Sequence, residues 1–224
     1  MMLRCVKCYL ILYLKMNVLE LFAGSRSIGK QADELSMSVW STDIEPFDKI
    51  DEVVDVLNFN PTTTLMPFVP DILWASPPCT SYSVAACYHH RNLDLSPKTE
   101  MAKLGDDLVI KTLELISYYK SLNPNLLWFI ENPRGLLRKM TFMQDLPIRN
   151  TVTYCQYGDT RMKPTDIWTN NPNWKPKPAC KNGDTCHTSA PRGSRTGTQG
   201  LKGSYNRSRV PDSLCYEVLK SCIK

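Results

Sequence analysis

The stretch Asn17-Val18-Leu19-Glu20-Leu21-Phe22-Ala23-Gly24-Ser25 decides how the chain is to be read. Residues 18–22 are apolar except for Glu20, and three small residues follow. An apolar run of this length that stops at a small-residue turn predicts a buried strand rather than a helix. Working outward, residues 28–35 read as a helix and 37–43 as a second strand with Asp43 at its carboxyl end. Residues 53–56 give a short third strand, and 71–75 a fourth that stops at Pro77-Pro78. The strongest helix spans 100–119, and helical spacing puts Met101, Leu104, Leu108, Leu115 and Tyr119 on its expected buried face. Pro124 precedes an apolar strand at 126–131, two more strands are expected at 151–154 and 166–169, and 214–223 suits a short amphipathic helix. Strands alternating with helices predict an open α/β sheet covered on both faces, with ligands beyond the carboxyl ends of its strands.

The 224 residues are 42% hydrophobic and 22% charged, with 27 Lys and Arg against 22 Asp and Glu. That composition excludes a disordered or fibrous chain. The formal charge of +5 permits a nucleic-acid partner without requiring one. The apolar run at 9–14 falls short of the roughly 18 residues that span a bilayer, so no membrane partner is expected. Residues 1–15 differ in pattern from the rest of the chain, and Met16 stands directly before the first strand. Residues 1–15 are therefore read as an upstream extension, with Met16 as the natural initiator. Nine cysteines without a secretion signal point to catalysis, metal binding or burial rather than disulfides.

The chemistry gathers at the predicted strand ends. The fourth strand ends in Ser76-Pro77-Pro78-Cys79-Thr80-Ser81 and the fifth in Glu131-Asn132-Pro133-Arg134-Gly135. A cysteine and a glutamate at neighbouring strand ends of one sheet face one cleft, and a thiolate with a carboxylic acid suits addition to an electron-poor ring. Leu-Glu-Leu-Phe-Ala-Gly at 19–24, Pro-Pro-Cys at 77–79 and Glu-Asn-Pro at 131–133, in that order and spacing, resemble the cytosine-5 DNA methyltransferases. The resemblance covers nearly everything from Met16 to Lys224 and is greatest to their short viral or phage-type members. It implies an α/β fold of the Rossmann-like class I S-adenosylmethionine-dependent methyltransferase type, with a small irregular recognition or zinc-like insert. The expected catalytic domain is 16–170 plus 206–224, and 171–205 is a small basic target-recognition region.

The resemblance also implies roles. Cys79 is the nucleophile that adds to cytosine C6, Glu131 holds and protonates N3, and Asn132 orients Glu131 or its loop. Around 156–168, Tyr157-Gly158 matches the family's Tyr-Gly, and either Lys163 or Arg161 takes the place of an arginine that contacts cytosine. For S-adenosylmethionine, the turn Phe22-Ala23-Gly24-Ser25 approaches the methionine portion, Asp43 binds the ribose hydroxyls and Ile44 packs on adenine. Asp55 accepts from the adenine amino group, and Pro77, Ser208 and Val210 complete the pocket. The chain departs from the family's Gly-x-Gly-Gly by placing Arg26 and Ser27 where glycines are common, which leaves the geometry of that turn open. Ser208 likewise replaces the usual asparagine of the final motif.

Cys180, Cys186 and His187 fall within eight residues, and Cys155 at a nearby strand end could supply a fourth ligand to one structural zinc ion. Two reduced surface thiols and a surface histidine are the plain alternative. Cys87, Cys215 and Cys222 are expected to pack in the core. Residues 188–211 hold no acid, so Arg192, Arg195, Lys202 and Arg207 are expected to contact DNA. A monomer is expected, in the cytoplasm, or in the host cytoplasm or nucleus for a viral chain. Methylation of tRNA cytosine or of a free cytidine nucleotide stays open as an alternative, as does a catalytically silent DNA-binding homologue.

Overall fold

The computed structural model describes residues 15–189 and 203–223. A seven-stranded sheet forms its centre: β1 (Asn17–Leu21), β2 (Ser38–Asp43), β3 (Glu52–Val53), β4 (Ile72–Ala75), β5 (Leu127–Pro133), β6 (Ile148–Thr153) and β7 (Pro164–Thr169). The strand order is β3-β2-β1-β4-β5-β7-β6. All neighbours from β3 to β5 pair in parallel, whereas β7 runs antiparallel to both β5 and β6. This is the Rossmann-like α/β sheet that the motifs imply. The order reverses between β1 and β4, which opens a crevice at their carboxyl ends.

The strands read as apolar runs because both faces of the sheet are covered. Along β4, Leu73 and Ala75 face one core with Leu19 and Leu21 of β1 and Trp128 and Ile130 of β5. Ile72 and Trp74 face the other, with Val18 and Phe129. Helix α1 (Ser27–Glu34) contributes Ile28 and Ala32 to the second core, and α5 (Asp212–Lys220) contributes Leu214, Cys215, Val218 and Leu219. The first core is closed by α3 (Glu100–Leu122), whose start is capped by Thr99 Oγ1 accepting from the Ala102 amide. Two short helices, α2 (Cys87–His90) and α4 (Ser204–Ser208), lie outside these layers.

Three expectations need correction. Met101 and Leu104 are 51% and 46% exposed, and the buried face of α3 instead carries Ala102, Gly105, Leu108, Val109, Thr112, Leu115, Ile116 and Tyr119. The cause is a close approach: a Cβ on Gly105 would lie 2.7 Å from Ser81 Oγ, so the small-residue side of α3 faces the turn after Cys79. The third strand is only Glu52–Val53, because the Asp55 carboxylate accepts from the Leu57 amide and starts a 3-10 turn at Val56–Asn58. Cys87 is half-exposed on α2 rather than packed, while Cys215 and Cys222 are buried as expected. The expected extension at 1–15 lies outside the described residues except for Lys15. No helix among the described residues is long and apolar enough to cross a membrane.

Candidate active site

At the carboxyl end of β1 the chain turns with left-handed backbone at Phe22 (φ 58), Gly24 (φ 50) and Arg26 (φ 55). Asp43 at the end of β2 ties this turn down, accepting from the Gly24 amide at 2.8 Å and the Glu45 amide at 3.0 Å. Beneath it, the buried Glu20 carboxylate accepts from the amides of Ile28 (3.0 Å) and Gly29 (3.1 Å) and from Ser41 Oγ (2.9 Å). Burial raises its pKa from 4.5 to about 7 against the pull of Ser41, Ile28, Arg26 and Gly29. Arg26, which stands where the family has glycine, donates to Ser41 Oγ at 3.0 Å and pairs with Asp33. Gly29 is required where these groups meet, since a Cβ there would lie 2.8 Å from both Glu20 Oε2 and Arg26 Nε. The departure from Gly-x-Gly-Gly thus replaces backbone freedom with a buried polar network.

The surrounding residues suit a nucleoside-bearing cofactor. Asp43 presents an acid at the β2 end, Ile44 leaves an apolar side chain 64% exposed beside it, and Asp55 caps the next turn. A Cβ on Gly24 would approach Ser208 Oγ at 4.0 Å, and the Val210 amide donates to Ser27 Oγ at 3.2 Å. The carboxyl-terminal segment therefore returns to the β1 turn. The rings of Phe47 and Tyr205, with centroids 5.3 Å apart, bring the loop after β2 against α4.

At the carboxyl ends of β4 and β5 sit Cys79 and Glu131. Pro77 is buried, and its carbonyl accepts from Asn132 Nδ2 at 2.9 Å, which joins the turn before Cys79 to the end of β5. A second tie lies further along. A Cβ on Gly135 would lie 2.3 Å from the Tyr82 carbonyl oxygen, so the loop after Glu131 runs against the loop after Cys79. Burial and the Glu131 carboxylate raise the pKa of the half-buried Cys79 thiol, while Lys163 and Arg207 pull it back down. Glu131 is 4% exposed and accepts from the Tyr154 hydroxyl at 2.8 Å.

Lys163 and Arg161 part company here. Lys163 donates to the Arg207 carbonyl at 3.0 Å, and its ammonium stands 4.5 Å from the centre of the Tyr154 ring. Burial lowers its pKa, and the charges of Glu131 and Cys79 oppose that. Arg161 is held by Asp159 in a buried ion pair and, among the described residues, reaches beyond it to the Arg207 carbonyl. Of the two, the structure brings Lys163 to Cys79 and Glu131. The loop after Cys79 is also better anchored than its polar composition suggests. Arg91 is 4% exposed, pairs with Asp106 at 2.7 and 2.9 Å and donates to the Ser81 carbonyl.

Cys155, Cys180, Cys186 and His187 also meet, their ligand atoms all within 4.8 Å of one another. Arg192, Arg195 and Lys202 lie outside the described residues, and Arg207 is exposed at the rim of the cleft. Sequence reasoning missed Tyr154 and gave Glu20 no role. A charged residue inside an apolar strand was a usable signal for Glu20, whereas nothing in the local pattern marks Tyr154.

No family model matches the sequence. A curated protein of Frog virus 3 (isolate Goorha), named probable DNA (cytosine-5)-methyltransferase, is 29% identical over 226 residues, covering 92% of this chain and all of that protein. The resemblance to the cytosine-5 DNA methyltransferases, viral members included, is shown by this relative. Among solved structures, the Entamoeba histolytica methyltransferase EhMeth is similar at 14% identity and TM-score 0.44, over 69% of this chain and 52% of that one. A DNMT2 variant of Spodoptera frugiperda is similar at 16% identity and TM-score 0.43, over 73% of this chain and 53% of that one. The chain thus spans about half the length of these two structures.

Proposed function

We propose that this chain is an S-adenosylmethionine-dependent DNA cytosine-5 methyltransferase. The observation that carries the reading is the convergence of Cys79, Glu131 and Lys163 where the carboxyl ends of β4 and β5 meet the amino end of the antiparallel β7, beside a cleft suited to a nucleoside. When bound there, S-adenosylmethionine supplies a methyl group on a positively charged sulfur. Phe22, Ala23, Gly24 and Ser25 hold its methionine portion, and Asp43, Ile44, Asp55, Pro77, Ser208 and Val210 hold the remainder.

C5 of cytosine is too weak a nucleophile to take a methyl group unaided. The Cys79 thiolate forms a bond to C6, and the ring electrons move toward N3, where Glu131 delivers a proton. C5 becomes enamine-like and would take the methyl group as its bond to sulfur breaks, the sulfur leaving as a neutral thioether. Loss of the C5 proton to a base then expels the Cys79 thiolate, and the N3 proton returns to Glu131, which restores the neutral aromatic ring. Lys163 and Arg207 set positive charge beside the thiolate, and Tyr154 holds Glu131 in place. The target ring cannot reach Cys79 from within a duplex, so the cytosine is flipped out. Residues 171–205, with Arg192, Arg195 and Lys202, form the recognition region that grips phosphates, and Arg207 joins them at the rim.

The test is transfer of labelled methyl to duplex DNA, tRNA and dCMP in parallel, with Cys79→Ser as the control. Transfer to DNA that the serine variant abolishes, and a covalent adduct with 5-fluorocytosine duplex mapped to Cys79, are expected. Transfer only to tRNA or dCMP overturns the DNA assignment, and turnover retained by Cys79→Ser overturns the nucleophile.

A further inference from the structure

We infer that Cys155, Cys180, Cys186 and His187 form a closed structural zinc site that staples residues 171–189 to the end of β6. Three thiolates and one imidazole make a complete tetrahedral set for zinc, with Zn–S near about 2.3 Å and Zn–N near about 2.0 Å. An ideal tetrahedron of those bonds has ligand-to-ligand edges of roughly 3.5 to 3.8 Å. The cluster shows 3.6 Å from Cys155 Sγ to Cys186 Sγ, 3.7 Å from Cys180 Sγ to His187 Nδ1 and 3.6 Å from Cys186 Sγ to His187 Nδ1. The Cys155–Cys180 edge, at 3.1 Å, is the one that must open on metal binding. Four soft donors at these spacings leave no position for water or substrate, so the ion holds structure rather than activating a reactant.

The rest of the segment shows why a metal is needed. Between Thr169 and Ser189 there is no helix or strand. From Lys175 to Ser189 no residue is buried, so apolar packing supplies almost nothing there. What fixes the stretch is a few polar ties: the Lys177 amide to Tyr157 Oη, the Cys180 amide to Thr153 Oγ1 and the Thr188 amide to the Thr160 carbonyl. Gly183, at φ 96, turns the chain so that Cys180 and His187 face the same point. His187 Nε2 is buried with no hydrogen-bond partner among the described residues, so only the sulfurs hold this ring. A disulfide would engage two of the three sulfurs and leave the third and the imidazole unexplained. Cys155 follows directly on Tyr154, whose hydroxyl holds Glu131, so the ion anchors the segment one residue from the reactive cleft.

The inference does not depend on the methyltransferase reading, because its readout is metal. The full chain, purified in reductant without chelators, should carry about one zinc per chain by elemental analysis. Cobalt(II) replacing zinc should give tetrahedral ligand-field bands with thiolate charge transfer. Cys186→Ser changes an exposed residue and should fold normally, yet its zinc content should fall well below one, whereas Cys87→Ser should retain the full amount. Chelation should speed tryptic cleavage after the exposed Lys181 by about tenfold or more while the sheet's circular dichroism holds. Absence of zinc, zinc retained in both Cys180→Ser and Cys186→Ser, or a Cys155–Cys180 disulfide persisting in reductant would overturn the assignment.

Discussion

Asn132→Ala tests whether the acid strand positions the nucleophile. Asn132 is 1% exposed, and its Nδ2 donates across to the buried Pro77 carbonyl at 2.9 Å. Truncation leaves that carbonyl buried and unpartnered, at a cost of about 1–3 kcal/mol. Asn132 Oδ1 is already buried without a partner, so deleting it recovers part of this and moves the net toward about 1–2 kcal/mol. For a chain of this size each kcal/mol lowers Tm by about 2–4 °C, which gives a fall of about 2–8 °C. A merely structural role ends there. A positioning role also loosens the Pro77-Pro78-Cys79 turn, and a misplacement near 1 Å slows reaction by about 100-fold. The assay is the rate of covalent trapping on 5-fluorocytosine duplex at saturating DNA and cofactor, beside thermal melting and cofactor Kd. Slower trapping with unchanged cofactor Kd is expected. Asn132→Asp, which sets a carboxylate oxygen against the carbonyl, should be slower still. A lowered Tm with wild-type trapping would refute the reasoning.

Lys163→Met should slow trapping by about 100-fold through loss of the charge opposite Cys79, whereas Arg161→Met should alter it less than about threefold and lower Tm instead; equal effects on trapping would contradict the division between them. Glu20 binds its proton more tightly in the folded chain, with a pKa near 7 against 4.5 when free, so its contribution to stability is fully present below 4.5 and lost as pH rises through about 7. Denaturant melts from pH 4.5 to 8 should show a decline of about 3 kcal/mol from this group, absent in Glu20→Gln, and a profile with the same slope in both proteins would refute it. Neutralising Arg192, Arg195 and Lys202 together should weaken duplex binding and flatten its salt slope by about 2 to 3, with transfer at saturating DNA retained. Equal shallow slopes for the two proteins would point to a free nucleotide.

The central strands were legible because each is an apolar run bounded by turn residues, and sheets covered on both faces demand such runs. The meeting of Cys155, Cys180, Cys186 and His187 was legible from composition in a stretch with little to bury. The face of α3 was not, because Met101 and Leu104 fit helical periodicity as well as Ala102 and Gly105 do. Only the contact with Ser81 decides which side turns inward. Tyr154, and the choice of Lys163 over Arg161, depend on the β5-β7-β6 register, which sets the 3-10 turn after β6 over Glu131, and no local pattern encodes that register. Arg26 looked like a defect in a glycine motif. Its meaning appears only with Glu20, Ser41 and Asp33 around it.

Gly135 has a consequence for how such a site can change over generations. Any side chain there would strike the Tyr82 carbonyl, so the loops bearing Cys79 and Glu131 are mated backbone to backbone. Small mutations cannot retune one loop without disturbing the other, so Cys79 and Glu131 are inherited as a block. On the proposed function, new target preferences would then arise by replacing the segment between β7 and α4 rather than either loop. The chemistry stays fixed while the address is rewritten.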